Sequence, residues 1–342
     1  MSISPRPLLI NLALLVVAVL LSIGVGSVFI PPGTVIRILV DRLPWIAVTP
    51  DWPGAFSAIL FQIRLPHTTL MLLTGAALGG SGAAYQGLFS NPLADPFLIG
   101  VASGAALGAV AALTIRWPAS LMGMYTLPAS AFLGAMITIA VVYNLARVGR
   151  AVPATTLILA GVAFSAFATS LMSFLMLRSN IEMRRALTWL LGGAIMSGWQ
   201  PVLAILPYEL IGLGILAASG HALNVMQFGD EQAQQLGLPI ERIKLLLVLA
   251  ASIATAAAVS FSGVIGFVGL VAPHIARLLW GPDYRALTPL AILGGSSALL
   301  LADTLARTVL APQILPVGIV TALAGAPFFL FILRRAKTQA YW

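Results

Sequence analysis

The residues of this sequence most open to a chemical reading are Ser81, in Gly79-Gly80-Ser81-Gly82, and three histidines, His67, His221 and His274. A serine in a G-x-S-G setting becomes a nucleophile when a histidine on another segment takes its proton, which is the chemistry of an intramembrane serine protease. His274, in a Pro273-His274 pair near an expected helix end, is the available base, and nothing else in the sequence supports the dyad. A glycine-rich run in an apolar helix serves equally as a packing face, and that reading is preferred. The histidines stand far apart and no H-E-x-x-H spacing occurs, so no metal site is expected. The only lysines, Lys244 and Lys337, follow no G-x-x-x-x-G-K-[ST] loop, so the chain is not expected to hydrolyse ATP by itself. With no cysteine there is neither a thiol nucleophile nor a disulfide.

Carboxylates inside apolar segments are the other chemical signal. One at the bilayer centre costs on the order of 2.5 to 3.5 kcal/mol, so ion-coupled carriers retain one only for use. The candidates are Glu209 and Asp303. Asp303 precedes Arg307 by four residues on one helix face, an arrangement that pairs them at the external end of their span. Glu209, two residues after Pro207, has no evident role, and an ion-coupled secondary transporter stays open as an alternative.

The elements that must carry these residues follow from composition. The chain has 342 residues, is 60% hydrophobic and 8% charged, and has a mean hydropathy of +1.02. Soluble domains carry charge on about a quarter of their residues. Apolar runs of about 20 residues, the length a helix needs to cross a bilayer, recur throughout. The expectation is an all-α polytopic membrane protein, because a transmembrane barrel would show alternating ten-residue segments. A net charge of +8 does not point to nucleic acid, since the basic residues stand singly between apolar runs and form no stripe.

Ten transmembrane helices are expected: Leu8–Ile30, Arg64–Tyr85, Phe97–Ile115, Leu127–Leu145, Thr155–Leu177, Pro201–Ala218, Ile243–Val259, Gly263–Trp280, Leu287–Ala306 and Val317–Leu333. The first is too long for a signal-peptide core and no small-residue cleavage pattern follows, so it is expected to be retained. Pro31–Gln62 reads as an external loop with short amphipathic pieces, Phe89–Pro96 as a sharp break, and Ala186–Leu191 as a short helix stopped by Gly192-Gly193. Gly100, Gly104 and Gly108 offer a face for close helix approach. Ten crossings put both termini on one side. Assigning them to the cytoplasm places Arg6, Arg147, Arg150, Arg242, Lys244, Arg277, Arg285, Arg334, Arg335 and Lys337 inside, ten of the eighteen basic residues. Arg37, Arg42, Arg64, Arg116, Arg178, Arg184, Arg185 and Arg307 then lie outside, a bias of ten to eight that leans on the triply basic C-terminus.

Phe228–Lys244 is the one densely polar stretch. Asp230 and Glu231 suit a helix N-terminus, Gly237 a left-handed stop, and Pro239 the first turn of a second short helix. Two short helices meeting at Leu236-Gly237-Leu238, held in water between the sixth and seventh spans, make a docking surface for a soluble partner.

Five segments carry a resemblance: IRLPHTTLMLLTGAALGGSGAAYQGLFSNPLADPFLIGVASGA, TWLLGG, QQLGLP, SGVIGFVGLVAPHIARLL and LLLADTLARTVLAPQILPVGIVTALAGAPFFLFIL. In these, from about Arg64 onward, the chain resembles the FecCD-type permeases of ATP-driven importers of iron chelates, haem and cobalamin. The resemblance implies that residues 1–342 form a single transmembrane permease domain in the cytoplasmic (inner) membrane, paired with a second copy of itself. It also implies two cytoplasmic ATPase subunits, which would hold ATP and Mg, and an external substrate-binding protein. This chain would need no cofactor of its own. The polar stretch, about 228–242, would be the family's coupling helices, with Asp230, Gln232, Ala233, Leu236, Gly237, Leu238 and Pro239 meeting the ATPase. Arg64 and Arg307 match basic positions that dock the binding protein, and His67 stands where cobalamin importers have arginine. Asn91 and Leu93 match a first gate, while Ala154 and Thr155 replace a threonine and serine pair at a second. Met172, Met176, Gln313 and Pro316 are candidate liners of the path, which needs to bind cargo only weakly to release it. Arg178, Arg184 and Arg185 stand near the expected external mouth.

Overall fold

The computed structural model describes residues 5–26, 28–42, 45, 49–114, 123–149, 151–177, 183–193 and 196–339. Helix α1 (Pro5–Gly24) is followed by the short α2 (Pro32–Val40) and α3 (Gly54–Ala58). A π-helical turn, Ile59–Arg64, then runs straight into α4 (Leu65–Leu88). A 3-10 turn at Pro96–Ile99 leads to α5 (Val101–Thr114), after which come α6 (Thr126–Leu145), α7 (Ala154–Leu177) and α8 (Met183–Leu190). The chain continues through α9 (Gln200–Ala218), α10 (Gly220–Met226), α11 (Asp230–Gln235) and α12 (Ile240–Ser262). It closes with α13 (Val268–Trp280), α14 (Tyr284–Thr308) and α15 (Val317–Gln339). Among the described residues, seven helices are long and apolar enough to cross a membrane, and three shorter apolar ones accompany them. Arg116, Arg150 and Arg178 fall outside the described residues.

At the centre stands α4, every residue of which from Thr74 to Leu88 is buried. Its small residues explain why. A Cβ at Gly75 or Gly79 would collide with the backbone of α14 at Gly295 or Ala291, and one at Gly82 with the carbonyl oxygen of Gly269 in α13. Lipid tails supply no hydrophobic drive between helices, so such backbone-to-backbone contact is what holds the bundle. Hydroxyls add to it, since Ser81 donates to the Ala251 carbonyl of α12 (3.0 Å) and Tyr85 bonds Ser252 (2.8 Å). On α5, Gly104 and Gly108 meet α6 as expected, whereas Gly100 is a left-handed turn (φ 88°) before the helix begins.

Four expectations need correction. The second span does not begin at Arg64, because Gly54–Leu88 is one continuous helical run in which Arg64 closes the π turn. The third opens with the 3-10 turn, where Pro96 and Gly100 prevent an α-helical start at Phe97. The eighth is helical only from Val268; Gly263 (φ 68°) and Phe267 (φ 69°) hold the chain between them out of helix. The second short helix of the polar stretch is the opening turn of the long α12, with Pro239 as its N-cap.

Candidate functional site

The sites expected from sequence lie at the two ends of α4. At the Arg64 end, the loop after α1 turns its carbonyls inward. Arg64 donates to the carbonyls of Ile23 (2.5 Å), Gly24 (3.0 Å) and Val28 and is only 6% exposed. Arg307, near the end of α14, donates to Asp303 (2.8 Å) and to Ser22 (3.2 Å to the carbonyl). Asp303 also bonds the His67 ring nitrogen at 3.0 Å. The expected Asp303–Arg307 pair is therefore present, and it is extended by His67, 236 residues away in sequence. Arg64, His67, Asp303 and Arg307 line a cavity of about 530 Å³ together with Gly192, Gly193 and Pro316. The three basic positions and one candidate path residue thus share one cavity, while Gln313 is exposed just before it. Arg184 and Arg185, on α8, are also exposed.

At the other end of α4, Gly87 packs against Leu223 of α10 and Tyr284 of α14. From α10 the chain turns through Gly229 (φ 94°) into α11, whose first turn carries Asp230 and Glu231. Gly237 (φ 87°) then ends it in the left-handed conformation expected of that glycine. Leu236 is 67% and Phe228 65% exposed, two bare apolar side chains flanking a polar helix. Gln232, Gly237 and Pro239 are exposed as well, and Leu238 is half-buried. Ala233 differs, being fully buried, and roots α11 in the core beside Ile240. Behind α11, Asn224 bonds Asp283 (2.7 Å) and accepts from the Tyr284 amide (2.9 Å). The Arg285 guanidinium beside Asp283 holds its carboxyl below the usual carboxylate range.

The chain just before the first expected gate segment reaches the second. Asn91 closes a turn by accepting from the Leu93 amide (2.9 Å), Ala154 begins α7, and Thr155 follows it exposed. Phe89, Val152, Ala154 and Lys244 line one narrow gap. Of the α7 methionines, Met172 is half-buried and packs against the main core, and Met176 is half-buried near the helix end.

The protease alternative does not survive this geometry. The Ser81 hydroxyl is fully buried and spends its proton on a backbone carbonyl, while the glycines around it are packing contacts. No cluster of metal-ligating residues occurs among the described residues. Glu209 is buried in α9, and neither carboxyl oxygen has a hydrogen-bond partner among the described residues.

Residues 14–335 match the FecCD transport family. The chain belongs to that family. It is 42% identical, over 96% of its length and 93% of the relative's, to an uncharacterized ABC transporter permease, YvrB, of Bacillus subtilis. It is 41% identical, over 99% and 92%, to the cobalamin import system permease BtuC of Halobacterium salinarum. It is 40% identical, over 87% and 89%, to the hemin transport system permease HmuU of Yersinia pestis. Among solved structures, an inward-facing ABC transporter assigned to the metal-chelate type superposes with a TM-score of 0.83 at 30% identity, covering 97% of this chain and all of the other. The FecCD chain is thus a multi-pass membrane permease of the ABC importer kind and not an enzyme.

Proposed function

We propose that this chain is the membrane subunit through which an ATP-driven importer moves a metal chelate, an iron-siderophore, haem or cobalamin, across the cytoplasmic membrane. It is a single transmembrane domain of ten crossings with both termini cytoplasmic, and it works as a pair of identical copies. The observation that carries the reading is α11, rooted by Ala233 and flanked by the exposed Phe228 and Leu236, at the end of α4 opposite Arg64. Exposed apolar side chains beside a polar helix suit seating in a groove of a water-soluble protein. That protein is one of two ATPase subunits, which hold the ATP and Mg this chain has no loop to bind.

At the far end, the basic positions Arg64, His67 and Arg307 fit a role in receiving an external binding protein. The two guanidiniums and the His67 ring are turned onto carbonyls and Asp303, so they act by shaping the outer surface more than as free charges. Cargo would pass between the two copies, past α7 and the start of α15, and through the gates at Asn91–Leu93 and Ala154–Thr155.

The test is reconstitution in proteoliposomes with an ATPase subunit and a binding protein, followed by uptake of labelled cyanocobalamin, haemin or a ferric siderophore. Uptake that needs ATP and all three components is the expected result. Uptake by the chain alone that collapses with the ion gradient would overturn it in favour of a secondary carrier.

A further inference from the structure

Two polar ties run from the base of α11 to the two gate segments. On one side, Lys244, in the first turns of α12 and only 5% exposed, forms an ion pair with Asp230 of α11 and lies 3.7 Å from Glu241. The same ammonium donates to the Val152 carbonyl (3.4 Å), and Glu241 accepts from the Val152 amide (3.0 Å). Both backbone groups of Val152, two residues before Ala154, are therefore held by the segment that carries α11. On the other side, Gln227, between α10 and α11, donates to the Gly87 carbonyl (2.8 Å). Gly87 and its neighbour Gln86 also accept the amides of Ser90 (3.2 Å) and Asn91 (3.1 Å), which open the first gate loop.

We infer that Lys244 and Gln227 are positioning residues that link α11 to the gates, Lys244 to the start of α7 and Gln227 to the end of α4. The inference rests on α11 being the ATPase seat. A helix end passes displacement on through contacts that hold as it moves, and the bonds from Lys244 and Gln227 to carbonyls and from the Val152 amide to Glu241 are buried or partly buried and directed at backbone. Lys244 is suited to the task because its ammonium has three donors and serves both Asp230 and the Val152 carbonyl.

The experiment uses the complete complex in proteoliposomes. The chain has no cysteine, so Pro92→Cys and Ala151→Cys each place a single spin label beside one gate, and the label-to-label distance across the two copies is followed through the ATP cycle. Lys244→Met and Gln227→Met should keep ATPase subunits bound and hydrolysis stimulated, while chelate moved per ATP falls about tenfold. Lys244→Met should abolish the ATP-driven distance change at 151, and Gln227→Met that at 92. Lys244→Arg, which can still donate to both partners, should restore transport. An unchanged chelate-to-ATP ratio with wild-type distance changes overturns the inference and leaves the function standing. So does a loss of thermal stability with the ratio unchanged, which would make the ties structural only. Failure of the unaltered chain to bind any ATPase subunit takes the functional proposal down with it.

Discussion

Replacing Asp303 by asparagine tests the charge arrangement at the Arg64 end of α4 most directly. Arg307, Arg64 and His67 crowd one cavity, and the carboxylate that Arg307 and His67 share is only 4% exposed. Removing one partner of a buried ion pair costs about 3 to 5 kcal/mol, because the surviving charge is left uncompensated. Arg307 keeps its bonds to Ser22 and Val25, so the lower end, about 3 kcal/mol, applies here. That corresponds to about a hundredfold in the folded-to-unfolded ratio. The assay is SDS-titrated unfolding in mixed micelles at neutral pH, with Arg307→Gln and the double variant measured beside it. The double variant should cost less than the sum of the singles, since it leaves no orphaned guanidinium. An Asp303→Asn protein as stable as the parent, or costs that simply add, would refute the reasoning.

Gly82→Val drives side-chain atoms into the Gly269 carbonyl and should cost about 1 to 3 kcal/mol or prevent assembly of α4 against α13, read as loss of monodisperse protein on gel filtration. Gly237→Val forces a β-branched residue to φ 87°, a strain of about 1 to 2 kcal/mol, and should lower ATP-dependent uptake while membrane insertion is kept. Ser81→Ala should leave transport intact, and the parent should take no label from a fluorophosphonate probe. Asp283→Asn should reduce stability by up to about 1 kcal/mol at neutral pH, since the pair with Arg285 is half exposed. Because the Asp283 pKa is depressed, that stabilisation is present above the usual carboxylate range and lost as pH falls through the lowered value. The gap between parent and variant in thermal melts should therefore close on acidification.

Most of the bundle was legible because a span needs a long apolar run whatever its partners, and helices such as α6 and α7 begin within a residue or so of where hydropathy rises. Breaks inside apolar runs were not. Gly263–Phe267 continues an apolar run, yet it leaves the helix through positive φ at Gly263 and Phe267 and packs against Trp189 and Gly192. Helix α10 found no place between the expected sixth span and the polar stretch, and Gly220 opens it because α14 comes too close at Arg285 for any side chain. At the α11 end, alternating charge and apolar residues within seventeen positions revealed a surface feature. Its roots, Val152 and Gly87, lay 92 and 140 residues from their partners and left no local signal. The same holds for His67, which lies 236 residues from Asp303, an acid whose local partner Arg307 already accounted for it.

Helix α13 has only 13 residues and rises about 20 Å, well short of a hydrocarbon core of about 30 Å. The residues before it, Gly263–Phe267, are not helical, and bare peptide in oil must keep company with protein. Its neighbours are fixed, since the Gly193 amide donates to the Ser262 carbonyl (2.6 Å) and Gly318 abuts the carbonyls of Leu191 and Val264. Such a seam cannot slide to suit its solvent. In a bilayer with shorter acyl chains the protein must adapt by leaning the tightly married α4 and α14, 24 and 25 residues long, so membrane thickness becomes a handle on its resting posture, one that synthetic lipids of graded length would turn.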